Sequence, residues 1–142
     1  WSSDVCSSDL VTLVDDSYNA SPTSVMAAIE SIDKYSNPSI KRKIVILGDM
    51  LELGDLTDEY HSRLIKFINK SSIDEVYLCG SIMKSHFKDI EMQKKRKWFD
   101  TVESISINND FDIKAGDLIL LKGGNKIKIS KLVKEFINHL KI

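Results

Sequence analysis

The chain has 142 residues, 42% of them apolar and 29% charged, and its 20 basic and 21 acidic side chains leave a net charge of −1. That size suits one domain with its own core, and the even charge balance argues against a protein that holds nucleic acid by neutralising phosphates. No apolar run approaches the roughly 18 residues of a membrane span, and two cysteines supply neither a disulfide framework nor a tetrahedral metal site.

Residues 1–10, Trp-Ser-Ser-Asp-Val-Cys-Ser-Ser-Asp-Leu, include four serines and show no hydrophobic period. They lack the basic start and apolar stretch of a signal peptide. They resemble the translation of a sequencing-library adapter joined to a truncated gene. The expectation is therefore a disordered leader over 1–10, one domain over 11–142, and further domains upstream of Val11. Cys79 is then the one native cysteine, in keeping with a reduced, cytoplasmic setting.

From Val11 onward, strand and helix patterns alternate. Val11 to Val14 is a short β-branched run that ends at Asp15-Asp16. Ser21 offers an N-cap and Pro22 a first helical residue, and Val25, Met26, Ile29 and Ile32 follow at helical spacing. Lys43 to Leu47 reads as a buried strand stopped by Gly48. Thr57 is the expected cap of a second helix, striped by Tyr60, Leu64, Phe67 and Ile68. Glu75 to Cys79 is a third strand, stopped by Gly80, and a shorter helix covers roughly 82–88. Lys97 to Phe99 is a weak strand, preceded by the charge run 94–97, which reads as a solvated turn. Val102 to Ile107 is expected as one short helix. Asp117 to Leu121 is the last strand, and Ile129, Leu132, Val133, Phe136, Ile137 and Leu140 stripe a terminal helix. Apolar strands alternating with helices imply an α/β fold: a Rossmann-like, mostly parallel sheet with helices on both faces.

Such sheets bind ligands beyond the carboxyl ends of their strands, which directs attention to three loops. The first is Asp15-Asp16-Ser17-Tyr18-Asn19-Ala20-Ser21-Pro22. An acid there can bind the two hydroxyls of a ribose, or it can simply terminate the strand in a turn. The second is Leu47-Gly-Asp-Met-Leu-Glu-Leu-Gly54, where Asp49 and Glu52 can hold an ammonium group or cap a short turn. The third is Leu121-Lys122-Gly123-Gly124-Asn125, whose outward N–H groups and lysine can receive an anion. No complete phosphate-binding loop or dinucleotide fingerprint occurs. His61, His86 and His139 are far apart in sequence, and packing is the common role for such histidines.

Taken together, the motifs at 15–22 and 47–54, His61 on the following helix, and Leu-Leu-Lys-Gly at 120–123 resemble the C-terminal domain of the Mur ligases. The likeness is greatest to the members that add D-alanyl-D-alanine to UDP-N-acetylmuramoyl-tripeptide, and it covers 11–142 in order and spacing. It implies an ATP-dependent amide ligase of peptidoglycan synthesis that works through an acyl phosphate. ATP and Mg2+ would be bound mainly by a central domain outside this chain. The fragment alone would hold no catalytic residue and no metal, and would be inactive.

Carried over by position, Asp16 corresponds to the acid at the ATP ribose, and Ser17, Tyr18 and Asn19 to the loop facing the reacting centre. Asp49 and His61 correspond to positions near the amine substrate, where Glu52 joins them. Lys122 and Gly123 open the loop on the dipeptide side. Where the family usually has Asn and then Ser-Arg, this chain has Ser21 and then Gly124-Asn125. With that arginine absent, Lys122 is expected to bind the dipeptide carboxylate. No nucleic-acid or membrane partner is expected, and the protein is expected to be monomeric. Two other readings compete: a receiver-like phosphoacceptor module with Asp49 as acceptor, and a stand-alone binding domain.

Overall fold

The computed structural model describes residues 10–17, 20–124 and 126–140, together with the main chain of 4–7. Six strands form one sheet: β1 (Asp4–Ser7), β2 (Thr12–Asp16), β3 (Arg42–Gly48), β4 (Glu75–Cys79), β5 (Lys95–Phe99) and β6 (Asp117–Lys122). Their order is β1-β2-β6-β3-β4-β5. Every pairing is parallel except β1 with β2. Five helices cover the sheet: α1 (Pro22–Lys34), α2 (Thr57–Lys70), α3 (Ser81–Phe87), α4 (Ile107–Asp110) and α5 (Ile129–Leu140).

The central strands alternate between two cores, because successive side chains leave opposite faces of a strand. Val45, Leu47, Val76, Leu78, Leu118 and Leu120 pack under α1, α2 and α3. Ile44, Ile46, Tyr77, Cys79, Ile119 and Leu121 pack on the other face with Val102, Ile105, Ile107 and α5. Both faces are dry, which explains the near-continuous apolar runs of β3, β4 and β6. At the amino ends of the strands, Arg42 closes the sheet. Its Nε and Nη2 reach the two carboxylate oxygens of Asp117 at 2.8 and 2.7 Å, and its Nη1 donates to Glu75.

Several local expectations need revising. Asp4–Ser7 is not outside the fold: it pairs with β2 from Asp4↔Asp15 to Ser7↔Thr12. A sheet edge offers main-chain groups to any extended segment, whatever its side chains, so composition could not reveal this. Thr57 is the first residue of α2 rather than its cap; its hydroxyl donates to Gly54 O at 2.7 Å. The expected single helix over 102–107 is a 3-10 turn, Val102–Ser104, followed by α4. The charge run is not wholly solvated either. Lys94 is buried, and its Nζ donates to Ser71 O and Ile73 O at 2.8 and 2.6 Å. It thereby ties down two carbonyls just past the end of α2. Ser21 and Pro22 behave as expected, with Ser24 N–H donating to Ser21 Oγ at 3.2 Å.

The added strand should matter far less than the core. Deletion of residues 1–9, which keeps the Leu10 carbonyl that accepts Gly116 N–H, should cost about 1 kcal/mol or less. Leu120→Ala, at a side chain with no exposure, should cost about 2–5 kcal/mol. Urea unfolding of the two variants ranks them, and a deletion as costly as the core substitution would make β1 integral to the fold.

Candidate functional site at the carboxyl edge of the sheet

The connections after β2, β3 and β4 run over the face of α1–α3, whereas β6 is followed by α5 on the other face. Since β6 lies between β2 and β3, the chain parts to opposite faces on both sides of β6, and a crevice opens at each parting. The two crevices are filled differently.

On the β2 side, Asp16 and Lys122 occupy facing register positions, in the same side-chain rows as Val14 and Leu120. Lys122 Nζ lies 3.1 Å from Asp16 Oδ2; the lysine side chain is 1% exposed and the aspartate 27%. Sequence reasoning assigned these residues to different substrates, but the register joins them. One carboxylate oxygen of Asp16 neutralises the buried ammonium, and the partly exposed remainder can accept from hydroxyls. Asp15, one residue earlier, faces the other way and accepts from Ser17 N at 3.1 Å and Ser17 Oγ at 2.6 Å. Ser17 is therefore buried and held within a turn of its own loop. Tyr18 and Asn19 lie outside the described residues.

On the β3 side, the crevice is occupied by protein. A Cβ at Gly48 would come within 2.8 Å of Ile127 Cγ2, and one at Gly123 within 2.4 Å of Ile129 Cγ1. Both positions must be glycine for Ile127 and Ile129 to lie across the strand ends. Gly123 thus serves close packing.

The loop after β3 is held from two directions. Asp49 is 2% exposed. Its Oδ2 accepts from Ile82 N at 3.1 Å and its Oδ1 from Met83 N at 2.8 Å, so it caps α3 from another strand. Gly80, at φ +115°, makes room: a Cβ there would sit 2.4 Å from the carboxylate carbon. An aspartate committed to two backbone donors and shut from solvent is poorly placed to be a phosphoacceptor or to meet an ammonium group.

His61 has no exposure. Its Nε2 accepts from Met50 N at 3.0 Å, which places the proton on Nδ1, 2.6 Å from Thr57 O. The ring also stacks on His86 at 5.5 Å, and His86 Nε2 lies 3.3 Å from Asp58 Oδ1. Burial pushes the His61 pKa below the ordinary 6.5, outweighing its hydrogen bond to Thr57; His86 pushes the same way and Asp49 and Asp58 oppose. Asp49 and His61 therefore shape the 49–54 loop from behind. Glu52, in contrast, is exposed, adopts φ +63°, and pairs with Lys126 at 2.7 Å across the sheet edge.

Lys126 had no motif to flag it, as it follows the glycines without a recognisable spacing. Among the described residues, no group of three His, Cys, Asp or Glu side chains could hold a metal ion, and no helix is long and apolar enough to cross a membrane.

Two expectations follow. Asp49→Ala should uncap α3 and leave the buried Met83 N–H unpaired, costing about 1–3 kcal/mol in chemical unfolding. A group whose protonated form is disfavoured by folding stabilises the native state above its unfolded pKa and loses that contribution as pH falls. Thermal stability should therefore decline as pH drops below about 6.5, the unperturbed histidine value. His61→Gln should be less stable at pH 7 yet show a flatter slope below it; an unchanged slope would assign the acid sensitivity elsewhere.

The fold and the site have counterparts among known proteins. Residues 4–125 match the family model described as Mur ligase, glutamate ligase domain. The chain is 33% identical over 137 residues to the UDP-N-acetylmuramoyl-tripeptide–D-alanyl-D-alanine ligase of Bacillus subtilis, an alignment that covers 89% of this chain and 28% of that protein. It is 32% identical over 118 residues to the ligase of the same name from Rickettsia prowazekii, covering 83% of this chain and 26% of that one. Among solved structures, the MurF ligase of Thermotoga maritima in complex with ADP superposes with a TM-score of 0.74 at 26% identity, over 97% of this chain and 30% of that one. The chain thus spans under a third of the length of these relatives.

Proposed function

The chain belongs to the Mur ligase family, matching its glutamate ligase domain over residues 4–125, and on that premise we propose that it is the C-terminal part of an ATP-dependent ligase that adds D-alanyl-D-alanine to UDP-N-acetylmuramoyl-tripeptide. The observation that carries this reading is the 33% identity to the Bacillus subtilis ligase across 89% of the chain. Such an enzyme serves peptidoglycan synthesis in the cytoplasm, and with it cell shape and division.

In the proposed reaction, the terminal phosphoryl group of ATP passes to the tripeptide carboxylate, giving an acyl phosphate and ADP. The dipeptide amine attacks the acyl carbon, loses a proton, and the tetrahedral adduct expels inorganic phosphate to leave an amide. An acyl phosphate in contact with water would hydrolyse, so a domain that closes over the site protects it. The role proposed for this chain is that closure. Asp16 suits the ribose of ATP, being partly exposed at a strand end with one oxygen already paired to Lys122. In this reading a central domain outside this chain holds Mg2+ and the phosphates. For the reacting-centre loop, Ser17, Tyr18 and Asn19 remain the candidates. On the dipeptide side, Asp49, His61, Lys122 and Gly123 act through the loops they hold, and Glu52 through its exposed carboxylate.

A chimera tests the reading: residues 11–142 replace the corresponding domain of the Bacillus subtilis ligase. Phosphate release that requires ATP, the tripeptide and D-alanyl-D-alanine together is expected, whereas the isolated chain should give none. A folded chimera that uses a different amine acceptor would overturn the assignment. In the active chimera, Asp16→Asn and Lys122→Met should each raise the KM for ATP about 10-fold, equivalent to about 1.4 kcal/mol. The double variant should be little worse than either single one, because the two side chains act as a pair.

A further inference from the structure

The proposed reaction leaves His86 without a role, although only 3% of it is exposed. It belongs to a closed circuit of contacts between α2, α3 and the loop 49–54. His61 of α2 accepts from Met50 N at 3.0 Å, and its Nδ1 lies 2.6 Å from Thr57 O. Thr57 in turn donates its hydroxyl to Gly54 O at 2.7 Å. One imidazole thus spans the loop, holding its first half directly and its far end through Thr57. From the other side, Asp49 caps α3 through Ile82 N and Met83 N. On that same helix, His86 lays its ring on His61, with centroids 5.5 Å apart and planes inclined by 22°.

The bond between His61 and Met50 exists in one protonation state. A neutral imidazole with its proton on Nδ1 offers Nε2 as an acceptor, whereas an imidazolium carries a proton on both nitrogens and accepts from nothing. Adding a proton therefore sets Nε2–H against Met50 N–H, two donors facing each other, while the bond from Nδ1 to Thr57 O survives. The loop loses its hold at Met50 and keeps it at Thr57. Asp49 N, which donates to Cys79 O at 3.2 Å, stays with the sheet. Between these fixed points lie Leu51, Glu52 and Leu53, and Glu52 is tied only by an exposed pair with Lys126, of a kind that contributes about 0–1 kcal/mol.

The titratable and charged groups that face His61 are Asp49 from the loop, Asp58 from its own helix and His86 from α3. The two aspartates favour an imidazolium, His86 disfavours it, and burial disfavours it most, so the His61 pKa lies below the ordinary 6.5. His86 has a second contact, its Nε2 lying 3.3 Å from Asp58 Oδ1, which turns the ring so that its flat face covers His61. His61 has no exposure of its own and cannot swing out to water without first unstacking.

We propose that the stacked histidines form a proton-operated latch on the 49–54 loop: His86 is a positioning residue that keeps the His61 ring turned toward Met50, and a proton on His61 frees the loop from Met50 to Leu53. Both rings are shut from solvent, so neither exchanges protons with a substrate, and the pair acts on the reaction only through the loop. The effect on turnover rests on the ligase reading above; the latch itself is a property of this chain.

Magnetic resonance of the isotope-labelled 142-residue chain from about pH 7.5 to about pH 5, the range in which imidazoles titrate, tests this. The His61 ring and the amides of 50–53 should change together with one midpoint below 6.5. Protection of the Met50 amide from hydrogen exchange should fall about 10-fold across it, while the α5 amides stay unchanged. His61→Gln, whose side-chain carbonyl can accept from Met50 N–H at any pH, should abolish the transition. His86→Phe keeps a ring on His61 without the charge, so the midpoint should rise and the loop should stay held at neutral pH. His86→Ala removes the ring, so Met50 protection should fall about 10-fold at neutral pH with α5 intact. In the active chimera, His86→Ala should raise the KM for D-alanyl-D-alanine about 10-fold, equivalent to about 1.4 kcal/mol, with less effect on that for ATP, and His86→Phe should restore it. Loop amides that do not follow the His61 ring, a transition that persists in His61→Gln, or an unchanged Met50 amide in folded His86→Ala would overturn the latch. An unchanged KM in the chimera would overturn its effect on turnover. An inactive chimera would count against the ligase reading and leave the latch, read on the isolated chain, standing.

Discussion

Two glycines facing each other across β3 and β6 decide the layout of this molecule's functional edge. Without side chains at Gly48 and Gly123, the isoleucines at 127 and 129 descend onto the strand ends, where a Cβ on either glycine would approach them to under 3 Å. The parting of the chain beside β3, which in an open α/β sheet is the natural ligand crevice, is thereby closed with apolar side chains. That one packing contact anchors the start of α5, whose Ile129 is fully buried. It also directs the preceding loop over the ends of β4 and β5.

The consequence is a separation of roles along the edge. Beside β2, register alone brings Asp16 and Lys122 together, and the aspartate is a counter-charge to the buried lysine. Beside β3, Asp49 and His61 brace a loop. The aspartate ties it forward to α3 through two backbone donors, and the histidine ties it back to α2 through Met50 and Thr57. Beyond β4, Asp100, Glu103, Lys126 and Lys128 are exposed at this edge, with Lys126 paired to Glu52 and Glu103 to Lys131. The residues that shape the frame are those with least access to solvent. At the opposite, amino edge, Arg42 ties β3 to β4 and β6 through Glu75 and Asp117, holding the strands in register from the other end.

Membership of the Mur ligases fits this arrangement. Under the function proposed above, a domain that closes over a nucleotide and a reactive acyl intermediate would have to present groups at one edge while remaining rigid. The two dry cores and the bracing of 49–54 supply that rigidity. The chain spans 28% of the length of the Bacillus subtilis ligase that it matches.

The sequence by itself determined the α/β alternation, because the runs at 43–47, 75–79 and 117–121 can be buried on both faces only in a parallel sheet. It also determined the Ser21-Pro22 helix start, whose cap is local, and the family, whose motifs at 15–22 and 47–54 survive as contiguous residues. It located the loops that gather at the carboxyl edge, since strand ends are marked by Gly and Asp. What those loops' side chains do was decided only by tertiary structure. Asp49 and Met83 are brought together by the β3–β4 pairing, as Asp16 and Lys122 are by the β2–β6 register, over separations for which no sequence pattern exists. The main-chain pairing of Asp4–Ser7 was equally invisible, because an edge strand is recruited through backbone groups that every residue shares. Burial settles the rest: the same aspartate or lysine is a ligand-binding group when exposed and a structural one when its partners are already inside the protein, and exposure is a property of the folded chain alone.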